Sequence, residues 1–123
     1  MNYSILDEDA DGVSFFRDET FAMSEIQFAP PAEPMLLSDG VPAEAMVALT
    51  LPAGWYGVPH KSPRSQVALI LSGVMRVEAG NGDVRDFGPG GMFWMRDVSG
   101  GGHASRAMNG DPVHMMIVQF PQA

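Results

Sequence analysis

The stretch GWYGVPHKSPRSQVALILSG places His60 and Gln66 on a proline-containing turn directly before an apolar run. A second stretch, GPGGMFWMRDVSGGGH, contains Asp97 and ends at His103. Imidazoles titrate near neutral pH and are common metal ligands, so two histidines could form an acid–base pair or part of a metal site. Two of the three histidines of the chain fall in these stretches, which makes them the first candidates for chemistry.

Short β-strands must position these residues. Fourteen glycines and ten prolines interrupt the chain, and no segment keeps a helical apolar period between them. Asn81–Gly82 is a strong signal for a two-residue hairpin turn. Closely spaced strands of this kind predict an antiparallel sandwich or barrel. Six strands are predicted, at 45–51, 66–73, 74–80, 83–89, 91–97 and 113–120.

Length and composition narrow the classes of function. The 123 residues suffice for one domain. A net charge of -8 argues against binding to nucleic acid or to an anionic membrane surface. No segment reaches the length of a membrane helix, and the acidic N-terminus does not look like a signal peptide. Without cysteine, a metal would need His, carboxylate or amide ligands, and a cytoplasmic location is expected.

The first forty residues have a different character. FAPPAEP contains three prolines in seven residues, which predicts extended backbone, and SEIQF could pair as an edge strand. We therefore predict that residues 1–40 form an extended arm packed on a barrel formed by residues 41–123. The arm could serve only for packing, or it could form a dimer contact or a lid.

The two stretches together resemble the cupin superfamily. In the first cupin motif, Gly54, His60 and Gly73 occupy their usual places, while Ser62 and Gln66 stand where a histidine and a glutamate are customary. The second cupin motif is matched at its two ends, by Pro89–Gly90 at the start and by Gly100 and His103 at the close. The chain is most similar to small bacterial cupins with HPAPRRQ-like and EDTTGKGH-like motifs. The matching residues are His60, Pro63, Arg64, Gln66, 71–73, 87–90, Asp97, Gly100, Gly102 and His103.

The resemblance implies a double-stranded β-helix, or jelly-roll, barrel that binds a small molecule and forms a homodimer. It also implies a divalent metal, such as Fe, Mn, Ni or Zn, held by His60, Gln66 and His103. Two imidazoles and an amide carry no negative charge, so this set should bind an ion weakly unless Asp97 turns inward. No cofactor is therefore predicted firmly.

Without a metal, the barrel could catalyse proton transfer. His60 and His103 would act as acid and base in a lyase or isomerase, on a small, partly apolar organic compound. Gln66 would orient the substrate and Arg64 would hold a carboxylate or enolate, with Trp94 and Asp97 as further contacts. Two alternatives stay open: a metal-dependent, oxygenase-like cupin and a ligand-binding or sensing barrel without catalysis.

Strand periodicity leaves two orientations undecided. In MFWM, either Met92 and Trp94 or Phe93 and Met95 should point into the barrel. On the last strand, His114 and Gln119 lie on opposite faces, and His114 is expected at the solvent edge. The run SGGGH is either a lid over a ligand or a tolerated loop insertion.

Overall fold

The computed structural model describes residues 1–122, and strands account for all of their regular secondary structure. Among these residues there is no helix long and apolar enough to span a membrane. The strands are β1 (Asn2–Glu8), β2 (Ser14–Thr20), β3 (Ser24–Ile26), β4 (Met35–Leu37), β5 (Ala45–Leu51), β6 (Tyr56–His60), β7 (Gln66–Ser72), β8 (Met75–Glu78), β9 (Val84–Phe87), β10 (Met92–Met95), β11 (His103–Ala107) and β12 (Val113–Gln119).

Two sheets form the body of the molecule. The larger has the strand order β2-β1-β10-β7-β12-β5 and the smaller has the order β6-β11-β8-β9. Neighbouring strands are antiparallel except β1 and β10, which are parallel. The predicted all-β, double-stranded β-helix fold is therefore confirmed, and each of the six predicted strands corresponds to an observed one.

Side chains alternate between the two faces of the larger sheet. Ala68, Ile70 and Phe93 point inward and belong to the main core, where Phe93 is fully buried. Val67 and Trp94 point outward into a second apolar cluster with Ile5. Of the two orientations open for MFWM, the structure has Phe93 and Met95 inside. Because both faces of β10 are covered by apolar groups, hydrophobicity alone did not distinguish the two possible orientations of this strand.

The predicted turn at Asn81–Gly82 connects β8 to β9. Gly82 has a φ of +88°, a conformation that glycine adopts without steric cost. Its N–H donates to the carbonyl of Ala79, and the N–H of Ala79 donates to the carbonyl of Asp83. The Asn81 side chain accepts a hydrogen bond from the N–H of Asp83, which holds the turn in place.

The N-terminal segment differs from the predicted extended arm. Residues 2–20 form the β1–β2 hairpin, which pairs in register from Asn2↔Thr20 to Glu8↔Ser14 and joins the larger sheet beside β10. In the segment 21–44 that follows, β3 and β4 pair with each other. The separation of the chain into an arm and a barrel at residue 40 stays a prediction.

Candidate functional site

A cavity of about 320 Å³ lies between the two sheets. Its walls are largely apolar, with Leu49, Leu51, Met75, Phe93, Met95 and Met115 among them. Its polar groups are the side chains of His60, His103, Gln66, Gln119 and Ser105. A largely apolar cavity of this size with a few converging polar groups is the usual form of a small-molecule site.

The structure brings His60 and His103 together. They are paired residues of the neighbouring strands β6 and β11, and their ring centroids are 4.9 Å apart. Gly102 permits this approach, because it has a φ of +74° and a Cβ there would overlap the backbone carbonyl of His60. The two motifs of the sequence therefore meet at one wall of the cavity.

His103 is held by a buried carboxylate. Its Nδ1 lies 2.5 Å from Oδ2 of Asp97, and the Ser62 hydroxyl donates to Oδ1 of Asp97 at 2.9 Å. The Asp97 side chain is fully buried and the His103 side chain is 5% exposed. Asp97 lies behind His103 and does not line the cavity, so its predicted role as a direct substrate contact stays a prediction that this cavity does not support. It instead fixes the orientation of the imidazole.

His60 has a different environment, because it is exposed at the rim of the cavity. Its Nδ1 lies 2.7 Å from the carbonyl oxygen of Val58, which can only accept a hydrogen bond. The Nδ1 of His60 therefore carries a proton, as does the Nδ1 of His103 beside the Asp97 carboxylate. In the neutral form of each ring, Nε2 then has a lone pair that can accept a proton.

A pair of carboxamides forms another polar group of the cavity wall. Nε2 of Gln119 donates to Oε1 of Gln66 at 3.1 Å, whereas Nε2 of Gln66 makes only a long 3.8 Å contact with Sδ of Met95. Gln119 was not among the predicted site residues, although the two-residue period of β12 places it on the face of the strand opposite to that of His114. His114 is exposed and 2.9 Å from the Thr50 hydroxyl, which confirms its expected place at the solvent edge.

Two further predicted substrate contacts lie outside the cavity. Arg64 forms an ion pair with Glu44, so its guanidinium is not available to a carboxylate inside the barrel. Trp94 is on the outer face of the larger sheet, where its ring stacks on Phe120 with 4.6 Å between centroids. Its indole N–H donates to the hydroxyl of Ser65. Neither Arg64 nor Trp94 lines the cavity, so the prediction that they bind substrate stays untested and gains no support from this site.

The glycine-rich loop at 99–102 is attached to the N-terminal hairpin. Glu8 accepts hydrogen bonds from the N–H and hydroxyl of Ser99 and from the N–H of Gly100. Burial raises the pKa of the Glu8 carboxyl, but these hydrogen bonds and the charge of Lys61 outweigh burial and hold the pKa below its usual value. No residue of this loop lines the cavity, which favours an anchored insertion over a lid.

The donors at the cavity do not fit a tightly held divalent ion. Two imidazole Nε2 atoms are available, but the Gln66 amide oxygen already accepts from Gln119 and Asp97 is engaged by His103 and Ser62. Residues 1–122 contain no cluster of three or more His, Cys, Asp or Glu residues arranged to bind a metal. Catalytic zinc sites commonly have three protein ligands, and anionic ligands add affinity for divalent ions.

The chain shows structural likeness to two solved proteins. One is a conserved protein of unknown function, SPY1581, from Streptococcus pyogenes, with a TM-score of 0.46 and 20% identity over 63% of this chain and 65% of that protein. The chain therefore spans slightly less than two thirds of that relative. The other is the cupin domain of Cnp3 from Schizosaccharomyces pombe, with a TM-score of 0.47 and 14% identity over 98% and 83% of the two chains. No protein-family model and no curated protein matches the chain.

Proposed function

We propose that the chain is a cupin-type, small-molecule enzyme that catalyses proton transfer, of the lyase or isomerase class, with His103 as its base. The observation that carries this proposal is the 2.5 Å contact between Nδ1 of His103 and the buried carboxylate of Asp97. A carboxylate at Nδ1 orients an imidazole and stabilises the positive charge that forms when Nε2 takes a proton. The predicted cytoplasmic location also stays a proposal.

The chemical step is a transfer of one proton. Nε2 of His103 removes a proton from a carbon next to the substrate carbonyl, and the electrons of the broken C–H bond move to the carbonyl oxygen. In a β,γ-unsaturated carbonyl compound the resulting dienolate takes the proton back at the γ-carbon, which completes an isomerisation. In a β-hydroxy carbonyl compound the enolate expels the hydroxyl group as water, with a proton from the imidazolium, which completes a dehydration. The 4.9 Å between the ring centroids of His60 and His103 supports a role for His60 in supplying or receiving the second proton.

The carbonyl oxygen of the substrate needs a hydrogen-bond donor while it carries negative charge. The amide NH₂ of Gln66 serves this role, because within residues 1–122 its one hydrogen bond is a long, weak one to the sulfur of Met95. Hydrogen bonds to a developing oxyanion are worth more in a cavity that excludes water than in solution. Gln66 therefore acts on the oxygen while His103 acts on the carbon.

Hydrogen exchange on carbonyl compounds tests this proposal without knowledge of the natural substrate. A panel of small neutral ketones and enones is first screened for compounds that raise the melting temperature. Those that bind are incubated with the protein in D₂O, and loss of their α-hydrogen signals is followed by proton NMR. We expect exchange faster than in buffer, lost in His103→Gln and kept in the matched control His114→Gln. Equal exchange in both variants contradicts the proposal, as does a bound ketone whose exchange is not accelerated.

A further inference from the structure

The cavity carries no fixed charge. Among the described residues, no Lys, Arg, Asp or Glu side chain lines it. Three charged residues near its polar residues have other partners: Arg64 pairs with Glu44, Asp97 is fully buried behind His103, and Arg106 lies over the ring of Tyr56. The polar side chains that a ligand in this cavity meets are therefore uncharged or imidazole groups: two imidazoles, two amides, the Ser105 hydroxyl and the indole of Trp55.

This lack of charge selects against ionic ligands. A carboxylate or phosphate that enters an apolar cavity loses its hydration, and no Lys or Arg side chain among the described lining residues offsets that loss. The net charge of -8 on the chain adds an unfavourable field for anions. An ammonium group is disfavoured in the same way, because the only nearby carboxylate is already bonded to His103 and Ser62.

The polar groups are suited to a single oxygen function. Nε2 of Gln66 can donate to a carbonyl or hydroxyl oxygen, and the two imidazoles lie at the same cavity. The remaining wall is formed by aliphatic, aromatic and methionine side chains. The volume of about 320 Å³ equals that of about ten water molecules in the liquid, which suits a compound of about ten non-hydrogen atoms.

We infer that the ligand of this cavity is an uncharged compound with an apolar body and one carbonyl group, whose oxygen accepts a hydrogen bond from Gln66. Anionic and cationic compounds of the same shape bind at least tenfold more weakly. The reactive carbonyl rests on the proposed function, whereas the neutral charge follows from the cavity wall alone. Of the two groups that Arg64 was predicted to hold, a carboxylate or an enolate, this ligand class includes only a precursor of the enolate.

Three compounds of matched size test the inference: 4-phenyl-2-butanone, 3-phenylpropanoate and 4-phenylbutan-2-amine at neutral pH. Binding is followed by NMR of protein labelled with ¹³C at the methionine methyl groups. Met75, Met95 and Met115 report on the cavity, and Met46, which is 71% exposed, is the control. We expect the ketone to shift the three cavity methyls but not that of Met46, with a dissociation constant at least tenfold lower than those of the two ions.

A substitution at the amide tests the position of the oxygen. Gln66→Leu should weaken ketone binding by about threefold to tenfold, the usual worth of one neutral hydrogen bond, while Gln27→Leu on the exposed arm should leave it unchanged. Binding of either ion at the cavity with an affinity equal to that of the ketone overturns the inference. So does a ketone that shifts no cavity methyl up to its solubility limit.

The outcomes separate this inference from the proposed function. If the ketone binds preferentially but His103→Gln leaves α-hydrogen exchange unchanged, the ligand class stands and the acid–base role of His103 fails. If exchange depends on His103 but an ionic compound binds as well as the ketone, the catalytic proposal stands and the neutral ligand class fails.

Discussion

Replacement of Asp97 by asparagine tests the buried pair most sharply. The asparagine has the same shape and can still accept from Ser62, but it removes the negative charge beside Nδ1 of His103. The substitution therefore creates no cavity, and its effect reports on the charge and on the hydrogen bond to the imidazole.

The expected magnitude follows from burial. Asp97 is fully buried and His103 is 5% exposed, so water replaces little of the lost interaction. A hydrogen bond to a charged group contributes about 1.5 to 3 kcal/mol, and we expect Asp97→Asn to lower the free energy of unfolding by about that amount. Asp86→Asn, in the exposed ion pair with Arg76, is the matched control and should have little effect because surface pairs are weak.

Urea denaturation at neutral pH, followed by tryptophan fluorescence, measures both variants. A double-mutant cycle with His103→Gln isolates the coupling between the two side chains, which we expect at about 1 to 3 kcal/mol. The reasoning is refuted if Asp97→Asn and Asp86→Asn change the stability equally, if Asp97→Asn stabilises the protein, or if the cycle gives no coupling.

Three other predictions concern the supports of the site and its assembly. Gly102→Ala should lower the free energy of unfolding by about 2 kcal/mol or more, because the positive φ disfavours a side chain and the new Cβ overlaps the His60 carbonyl. Gly101→Ala, where a Cβ meets open space, should leave it nearly unchanged in the same urea titration. Glu8→Gln should speed amide hydrogen exchange in the 99–102 loop above pH 4.5, because a lowered pKa means that the ionised Glu8 carboxylate stabilises the folded state. The difference between the two proteins should disappear as the pH falls through the lowered pKa of Glu8. A difference that does not depend on pH would contradict this prediction. We also propose that the chain forms the homodimer that the resemblance implies, because apolar side chains such as Phe28 and Leu36 are exposed on the arm. Sedimentation velocity should show a dimer that Leu36→Glu weakens. A monomer at all concentrations would rule out the homodimer.

The assignment of the two histidines to one site came from motif spacing, but their close approach was not predictable. It depends on the pairing of β6 with β11, which were not among the six predicted strands, and on the placement of the glycine-rich loop between the motifs. The orienting role of Asp97 was not predictable, because it depends on how the turn before His103 bends back over Ser62. The sequence indicated only that a carboxylate was close.

Other errors have equally specific causes. β1 and β2 carry many acidic residues, which hid the buried pair Ile5 and Leu6 at the centre of a sheet. The face of Trp94 was ambiguous because β10 is apolar on both sides. Arg64 follows the first motif closely in sequence, yet the partner that fixes its direction, Glu44, comes from a distant segment just before β5.

The protonation of the His103 ring tests the central claim most directly. Long-range ¹H–¹⁵N NMR correlation of the imidazoles in labelled protein distinguishes the two neutral tautomers. The account predicts that neutral His103 carries its proton on Nδ1, next to Asp97, with Nε2 free, and that Asp97→Asn moves the proton to Nε2. A proton on Nε2 in the unmodified protein, or a tautomer that does not change in Asp97→Asn, would contradict the proposal that this pair provides the base of the site.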